Sequence, residues 1–272
     1  MAAAPVTIVD PTDLRIAEFR DIRERDLTGR QGRFIAEGTV VLRMLAQAHR
    51  RGTFAAEKIL LLANRAAGVA DILAEFPEDV PVYIADAETL DGVVGFHLHR
   101  GVLALGRKRA PETSLLDRLP EQALVIAGCG LSNHDNAGSM FRNAAAFKAD
   151  AIFLDETSCD PLYRKALRVS VGSVLSVPYE RSGTALALLS SLAERGFDIW
   201  TLSPRGTVDI RDIPASPRMA LVAGTEGEGL PAEILARFRS ARIPQSEGLD
   251  SLNVATATGI ALFSMASAAR RI

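Results

Sequence analysis

The sequence predicts two α/β domains built from strands and helices in layers. Apolar runs of strand length, such as residues 123–128, alternate with segments of helical periodicity along most of the chain. The 272 residues exceed the usual length of one domain, and a hydrophobic content of 48% is sufficient for two cores. Continuous apolar strands separated by helices are typical of mostly parallel sheets that are covered on both faces.

The first domain is predicted over residues 1–109. Its strands are expected at 33–37, 58–63, 81–86 and 101–106, and its helices at 39–51, 66–76 and 87–96. Residues 110–122 contain two prolines among polar residues, which is typical of a linker between domains.

A charged segment, residues 10–33, precedes the first strand. Apolar residues recur there with helical spacing, and six arginines alternate with six acidic residues. A surface helix stabilised by ion pairs explains this pattern. An RNA-facing arm is the alternative, because arginine suits phosphate recognition.

The second domain is predicted over residues 123–272. Its strands are expected at 123–128, 151–155, 176–179, 198–202, 219–224 and 241–243. Its helices are expected at 137–147, 161–171, 185–195, 231–238 and 251–270. The final helix implies a buried chain end, which is unusual because termini normally fray.

Composition excludes several classes of protein. Cys129 and Cys159 are too few for a disulfide framework or a four-cysteine zinc site, and we interpret both as small apolar residues, with a redox or nucleophilic role as the alternative. No metal site is expected. The first residues lack a secretory signal, and no apolar run approaches the ~20 residues that span a bilayer. We therefore expect a cytoplasmic protein without a membrane partner.

A basic cluster lies at the end of the first domain. The formal net charge of −2 gives no general attraction to nucleic acid, so local patches must be considered. The cluster has no acidic residue and consists of His97, His99, Arg100, Arg107, Lys108 and Arg109. It suits contact with RNA phosphates, and a role in solubility alone is the alternative.

The first stretch that suits chemistry is residues 132–144, which follow a predicted strand and open a helix. Backbone N–H groups at such a helix start are available to an anion. Asp135 or Asn136 is expected to cap the helix, and Gly138 permits close approach of a ligand. Arg142 lies one turn beyond Gly138 and is placed to hold a phosphate or sugar. A plain surface helix is the alternative.

The second stretch is residues 221–231, where three glycines follow an apolar strand. Such a loop is the usual ligand position in an open α/β sheet. The spacing is neither Gly-x-Gly-x-x-Gly nor that of a triphosphate-binding loop. Because Glu226 and Glu228 would repel a triphosphate, we expect a neutral or cationic ligand there.

The third stretch is residues 242–272. Asp250 or Ser251 is expected to cap the last helix, with Asn253 in its first turn. Ala255 and Gly259 are small enough for close approach of another segment of chain. Plain core packing is the alternative.

Taken in this order, the three stretches resemble the motifs of the SpoU/TrmH family of RNA ribose methyltransferases. Residues 136–144 resemble its first motif, 224–230 its second and 243–254 its third. The family's Asp-Pro-x-x-x-Lys-x-x-Arg-x-Ser pattern is also present, as Asp160, Pro161, Lys165, Arg168 and Ser170. The resemblance covers residues 123–272, and residues 34–38 are more weakly similar to the family's substrate-binding domain.

The resemblance implies a SPOUT-class fold, in which the C-terminal segment of a parallel sheet threads through a loop as a deep trefoil knot. Knots are rare exceptions among protein folds. It also implies that S-adenosylmethionine binds in the knot, that the knotted domain forms a homodimer, and that a small α/β domain before it binds the RNA substrate.

The resemblance also implies roles for individual residues. Those implied as catalytic are Asn136, Arg142, Glu226 and Asn253. Those expected to bind the cofactor are Leu202, Gly224, Ile243, Ser251 and Leu252. The expected RNA-binding residues are Arg100, Arg107, Lys108, Arg109, Lys165 and Arg168. Arg142 is expected to orient the ribose and its phosphate, because arginine does not lose its own proton in proteins.

The implied function is methylation of a ribose 2′-hydroxyl in structured RNA, with ribosomal RNA favoured over transfer RNA. A catalytically silent RNA-binding or ribosome-assembly factor with the same fold is the alternative. The sequence departs from the family at Gln245, where the family commonly has Met, and at Ala255, where it commonly has Ser.

Overall fold

A computed structural model describes residues 3–20, 32–95, 100–110, 112–248 and 250–272. The chain divides into two compact units. The first contains Met1–Pro111 and Leu162–Ser176, and the second contains Glu112–Pro161 and Val177–Ile272. Residues 162–176, which the sequence pattern places in the second domain, thus group with the first unit. Their helix contacts the strand Arg33–Glu37 of that unit.

The sheet of the first unit is mixed. Its strands are β1 (Val6–Thr7), β2 (Arg33–Glu37), β3 (Phe54–Leu62), β4 (Val82–Ala85) and β5 (Val102–Lys108), in the spatial order β1, β4, β3, β5, β2. β4 is parallel to β1 and β3, whereas β5 is antiparallel to β2 and β3. The prediction of a mostly parallel sheet is therefore wrong for this unit. Continuous apolar runs report burial of both faces of a strand, and they do not report its direction.

The sheet of the second unit is parallel throughout, as predicted. Its strands are β6 (Ala123–Gly128), β7 (Ala151–Leu154), β8 (Tyr179–Arg181), β9 (Asp198–Leu202), β10 (Val208–Asp209), β11 (Arg218–Ala223) and β12 (Arg239–Arg242). They lie in the order β10, β12, β9, β11, β6, β7, β8. The predicted α/β class is confirmed, and the knot stays a prediction.

Helices cover the sheets in both units. Within the described residues the α-helices are α1 (Thr39–Arg50), α2 (Ala70–Leu73), α3 (Ala87–Val94), α4 (His134–Ala146), α5 (Arg164–Val169), α6 (Ala185–Glu194), α7 (Ala232–Arg237) and α8 (Val254–Ala268). The helix predicted at 66–76 is broken into short 3-10 turns followed by α2. The helix predicted at 10–33 is a 3-10 helix over Leu14–Phe19, and its part at 21–31 lies outside the described residues.

Helices α4 and α8 pack against each other in the second unit. Asn143 of α4 donates a hydrogen bond from Nδ2 to the carbonyl oxygen of Ala255, at 2.8 Å. Gly259 of α8 is close to the same side chain, because a Cβ atom on this glycine would lie 3.1 Å from Asn143 Nδ2. The rings of Phe147 and Phe263 meet edge to face, with their centroids 5.8 Å apart. The packing fixes the start of α8 relative to α4.

Candidate active site

A cavity of about 710 Å³ opens beyond the carboxyl ends of β9, β11 and β12, and every residue that lines it belongs to the second unit. This is the side of a parallel sheet at which ligands usually bind. The cavity is lined by residues 202–205, 223–230 and 250–254, and by Leu235, Ala241, Ile243, Gln245 and Ala257. The five residues predicted to bind a cofactor are all among them: Leu202, Gly224, Ile243, Ser251 and Leu252.

The loop after β11 folds back tightly on itself at the wall of the cavity. A Cβ atom on Gly224 would lie 2.7 Å from the carbonyl carbon of Gly229 and 2.7 Å from the nitrogen of Leu230. Thr225 closes the turn by donating from Oγ1 to the oxygen of Gly229, at 3.2 Å. The close approach requires glycine at position 224, because any side chain there would collide with backbone atoms.

The loop after β9 forms another part of the wall and is tied to β12. Arg242 donates from Nη1 to the carbonyl oxygens of Gly206, at 2.9 Å, and Thr207, at 3.2 Å. A Cβ atom on Gly206 would lie 2.3 Å from the carbonyl carbon of Ala241. Gly206 was not among the predicted site residues, although an isolated glycine shortly after a strand signals a close backbone approach.

The charges around the cavity favour a cation. Its lining includes the carboxylates Glu226, Glu228 and Asp250 and, among the described residues, a single guanidinium, that of Arg205. An excess of negative charge repels a polyphosphate and attracts an ammonium or sulfonium group. The expectation of a neutral or cationic ligand therefore agrees with the lining.

Three of the predicted catalytic residues meet beside the cavity, and we call Asn136, Glu226 and Asn253 the amide cluster. Asn136 is 4% exposed and donates from Nδ2 to Glu226 Oε1. Asn253 donates from Nδ2 to Asn136 Oδ1 and to Glu226 Oε1, both at 3.0 Å. The orientation of both amides is thus fixed by hydrogen bonds. Among the described residues, Glu226 Oε2 has no partner and is available to a ligand donor.

The N-caps of α4 and α8 determine where the side chains of Asn136 and Asn253 lie. Asn253 is the N-cap of α8, and its Oδ1 accepts from the nitrogens of Ala255 and Thr256 at 2.9 and 3.2 Å. The prediction of Asp250 or Ser251 as this cap is wrong, because the helix begins only at Val254.

Asn133, in place of the predicted Asp135 or Asn136, caps α4 and accepts a hydrogen bond from the nitrogen of Asp135 at 2.9 Å. The helix begins at His134, so Asn136 lies in its first turn. The side chain of Asn136 is consequently free to join the amide cluster.

Arg142, the fourth predicted catalytic residue, lies apart from the amide cluster. It is exposed on α4 and makes no hydrogen bond or ion pair with any residue that the structure describes. Six residues separate it from Asn136, which corresponds to about 9 Å along the helix and about 240° around it. The guanidinium of Arg142 is therefore available to a group outside the chain.

A buried carboxylate outside the predicted site residues organises the loop before α4. Asp155 is 4% exposed, and its Oδ1 accepts from the nitrogen of Gly130 at 2.9 Å and from Ser158 Oγ at 2.6 Å. Gly130 has a φ of +69°, and a Cβ atom on it would lie 2.7 Å from Cγ2 of Thr225. Asp155 thus joins the loop after β7 to the loop after β6, whose Gly130 lies against Thr225 of the loop after β11. An acidic residue at the end of an apolar strand is the signal that could have identified it.

The predicted RNA-binding residues all belong to the first unit. Arg107 and Lys108 end β5, and Lys165 and Arg168 lie on α5. Arg107 is ion-paired with Glu57 at 2.9 Å, and Arg168 Nη1 is 3.8 Å from an oxygen of Glu37. The remaining two are Arg100, whose side chain lies against Gly38, and Arg109, which follows β5. The two histidines of the basic cluster lie outside the described residues.

The cysteines are buried to different degrees. Burial, followed by the nearby Asp155, raises the pKa of Cys129 to about 12. Burial, followed by Asp160, raises the pKa of Cys159 to about 11. Both thiols therefore stay protonated at neutral pH, which does not suit a nucleophile.

The described residues contain no group of three or more His, Cys, Asp or Glu side chains arranged to bind a metal ion. None of the helices in this part of the chain has the length and apolar character needed to cross a membrane.

Comparison with known proteins gives relatives along nearly the whole chain. An uncharacterized tRNA/rRNA methyltransferase of Mycobacterium bovis is 39% identical over 267 residues, which cover 94% of this chain and 90% of the relative. A 23S rRNA (guanosine-2′-O-)-methyltransferase, RlmB, of Burkholderia is 31% identical over 186 residues, covering 66% of this chain and 74% of the relative.

Comparison with solved structures also finds RNA methyltransferases. The AdoMet-bound rRNA methyltransferase of Sinorhizobium meliloti is 26% identical, with a TM-score of 0.78 and coverage of 98% of each chain. Residues 123–263 match the model of the SpoU rRNA Methylase family. The resemblance found in the three sequence motifs is thereby confirmed. With parallel strands, a glycine loop and an amide cluster inside the matched region, the chain belongs to the SpoU rRNA methylase family.

Proposed function

We propose that this protein methylates a ribose 2′-hydroxyl in structured RNA, with S-adenosylmethionine as methyl donor and ribosomal RNA favoured over transfer RNA. The observation that carries the proposal is the cavity bordered by the amide cluster, within the part of the chain that matches the family. The names of the Burkholderia and Sinorhizobium relatives support ribosomal RNA and the 2′-oxygen.

The cavity fits S-adenosylmethionine in size and charge. Its volume of about 710 Å³ lies within the ordinary range for sites of small ligands and cofactors. The carboxylates of Glu226, Glu228 and Asp250 suit a ligand that carries a sulfonium and an ammonium group. The tight turn at Gly224 brings backbone groups to the wall, where they are available to hydrogen-bond a nucleoside. When bound, this cofactor supplies a methyl group attached to a positively charged sulfur.

Residues around the cavity have distinct parts in the proposed binding. The backbones of Gly224, Ile243 and Leu252 hold the cofactor, and the side chains of Leu202 and Ser251 complete its pocket. The amide cluster borders this pocket and presents Glu226 Oε2 to a hydroxyl or ammonium donor. Because the cluster is already ordered by hydrogen bonds, its groups need little rearrangement to position a ligand.

Arg142 acts on the RNA in this proposal. Transfer would form a bond between the ribose 2′-oxygen and the methyl carbon while the bond from that carbon to sulfur breaks and leaves a neutral thioether, and the hydroxyl proton would pass to an acceptor. Arg142 cannot be that acceptor, because its guanidinium stays protonated. It orients the ribose and the neighbouring phosphate, and its charge stabilises the developing alkoxide. The phosphate of the substrate itself takes the proton.

The first unit binds the RNA. Its basic residues supply contacts to phosphates, which position a polymer without reading its sequence. Arg107 and Arg168 each lie beside a carboxylate, so part of their charge is offset by Glu57 and Glu37. We expect Arg100 and Arg109 to contribute more to RNA affinity than Arg107.

The second unit forms a homodimer and contains the trefoil knot that the family resemblance implies. The exposed apolar side chains of α8 support the dimer, since Ile260 is 41% exposed and Phe263 is 55% exposed. Apolar surface of this kind is favourable to bury against a second copy.

The test is methyl transfer in vitro. Purified protein is incubated with methyl-labelled S-adenosylmethionine and ribosomal or transfer RNA isolated from cells that lack the protein. We expect label in ribosomal RNA, at a ribose that becomes resistant to alkaline cleavage on its 3′ side. Binding of RNA without any transfer of label to either RNA would favour the silent RNA-binding factor instead.

A further inference from the structure

One end of the sheet in the first unit is formed where β2 and β3 finish and β5 begins. β5 is antiparallel to both of its neighbours, so the residues that follow β2 and β3 lie beside those that precede β5. The nitrogen of Gly38 donates to the oxygen of Val102 at 2.9 Å, and the nitrogen of Leu62 donates to the oxygen of Gly101 at 2.9 Å. We call this the Gly38 end of the sheet.

Two arginine side chains lie against glycines at the Gly38 end. A Cβ atom on Gly38 would lie 3.0 Å from Cδ of Arg100, and a Cβ atom on Gly101 would lie 3.2 Å from Cγ of Arg65. Both glycines have a positive φ, +92° for Gly38 and +61° for Gly101. The two arginine stems therefore rest on the backbone at the ends of β2 and β5, neighbouring strands that are roughly 4.8 Å apart.

The charges of these two arginines are not paired. Arg65 and Arg100 are exposed, and neither makes a hydrogen bond or an ion pair with any residue that the structure describes. The carboxylates that follow or end the adjacent strands are engaged elsewhere. Glu37 lies 3.8 Å from Nη1 of Arg168, and Asp86 is the N-cap of α3. Two unpaired guanidinium groups favour an anionic partner.

The opposite end of the same sheet has a different charge balance. Arg107 lies five residues along β5 from Val102, which corresponds to about 17 Å. Glu57 is ion-paired there with both Arg33, at 2.8 Å, and Arg107, at 2.9 Å. The predicted basic cluster is therefore not one surface, because Arg100 lies at the Gly38 end whereas Arg107, Lys108 and Arg109 lie at the opposite end.

We propose that Arg65 and Arg100 hold phosphates of the RNA substrate, and that the Gly38 end makes the main contact of the first unit with RNA. The guanidinium group binds phosphate with two parallel hydrogen bonds, and a polymer offers a phosphate at every nucleotide, so both side chains can be used at once. This inference rests on the proposed function, because it requires an RNA substrate. It adds Arg65, which was not among the predicted RNA-binding residues.

The experiment is filter binding of the full chain to ribosomal RNA isolated from cells that lack the protein, repeated at several salt concentrations. The double variant Arg65→Gln, Arg100→Gln should bind ten- to a hundredfold more weakly at about 0.1 M salt. The slope of log affinity against log salt should become shallower by about 1.4–1.8, because each phosphate contact contributes roughly 0.7–0.9. Each single variant should give about half of this change in slope.

Two further variants serve as controls. Arg50→Gln removes the same charge from the same unit, but Arg50 ends α1 and is paired with Glu75 at 3.3 Å, so its affinity should stay within about twofold of the wild type. Arg65→Lys, Arg100→Lys keeps both charges and should retain the wild-type salt slope. Thermal unfolding of each variant should resemble that of the wild type, because both arginines are exposed and unpaired.

The outcomes separate this inference from the proposed function. If the wild type binds no ribosomal RNA, the proposed function is wrong. If the wild type binds it and the glutamine variants, single and double, show the same affinity and salt slope, Arg65 and Arg100 do not hold phosphates. A loss in the lysine variant as large as in the glutamine variant would also overturn the inference. So would an equal or greater loss in Arg107→Gln, Arg109→Gln, because the main contact would then lie at the opposite end.

Discussion

At the scale of single residues, the amide cluster is assembled from three separate parts of the chain. Asn136 comes from the first turn of α4, Glu226 from the loop after β11 and Asn253 from the N-cap of α8. Asn253 has two tasks, since its Oδ1 caps the helix while its Nδ2 donates to the other two side chains. Substitutions at position 253 can separate these tasks.

Replacement of Asn253 should affect stability and activity differently. Serine retains a capping oxygen but is too short to replace the bonds that Asn253 Nδ2 donates, so Asn253→Ser should lose about 1 kcal/mol of unfolding free energy, because the buried Asn136 Oδ1 loses its partner. Asn253→Ala should lose about 1 kcal/mol more, because it removes the cap as well. Both variants should transfer methyl groups about tenfold more slowly. Denaturant unfolding and methyl-transfer assays measure the two effects, and a fully active Asn253→Ser would show that the cluster is not needed.

Substitution of Arg142 should separate cofactor binding from methyl transfer. Its side chain makes no hydrogen bond or ion pair with the described residues, so Arg142→Ala should unfold like the wild type and bind S-adenosylhomocysteine within about twofold of it. Methyl transfer should fall by roughly 10²- to 10³-fold, as expected when a group that stabilises developing charge is removed. Arg142→Lys, which retains a positive charge, should recover part of the rate. Full activity in Arg142→Ala would contradict the proposed role.

At the scale of elements, the loop after β11 depends on close contact between backbone segments. Gly224→Ala places a Cβ atom 2.7 Å from backbone atoms of Gly229 and Leu230, so the loop must shift. We expect the variant to lose about 1–3 kcal/mol of stability and to bind S-adenosylhomocysteine at least tenfold more weakly. Gly68→Ala is the control, because a Cβ atom there has no neighbour within 4 Å. Equal affinities for Gly224→Ala and wild type would show that the loop does not bind the cofactor.

The elements also show what could be predicted from the sequence. Apolar runs located β6, β9 and β11 within about one residue, because a strand buried on both faces needs apolar side chains throughout. They could not give the antiparallel pairing of β5, which depends on neighbours that are distant in the sequence. The strands β1 and β10, two residues each, were missed because such short pairings leave no pattern.

Part of the candidate site could also be predicted from the sequence. The loops at the cavity follow predicted strands, and the family motifs pointed to the amide cluster. The contribution of Asp155 was not predictable, since the hydrogen bond that it accepts from Gly130 depends on how loops 128–131 and 155–158 meet in space. The prediction of the helix caps failed for a simpler reason. Asp, Asn and Ser are all good caps, so a stretch containing several of them does not specify where the helix begins.

At the scale of the whole molecule, the proposed assembly is a dimer through the second unit. Ile260 is exposed on α8 and would lie in the interface. Ile260→Asp should shift the protein from dimer to monomer in size-exclusion chromatography with light scattering, because burying an unpaired charge is costly. Val9→Asp is the control, since Val9 is 81% exposed in the first unit. A wild-type protein that is monomeric at micromolar concentration would contradict the dimer.

The division into two units suits the proposed division of labour, in which the first unit binds RNA and the second transfers the methyl group. The parallel second unit contains the cavity, the amide cluster and most of the residues that match the family, and the first contains the predicted phosphate contacts. The proposal therefore predicts that methylation of RNA requires both units, whereas the cofactor site belongs to the second.

The central claim is that this chain modifies a ribose in RNA, and the most direct measurement is a map of 2′-O-methylation in ribosomal and transfer RNA. The map is compared between cells with the protein, cells without it and cells that carry only Arg142→Ala. We predict that one or a few ribose methylations, in ribosomal RNA, disappear without the protein and are not restored by Arg142→Ala. Identical maps in all three strains would contradict the claim.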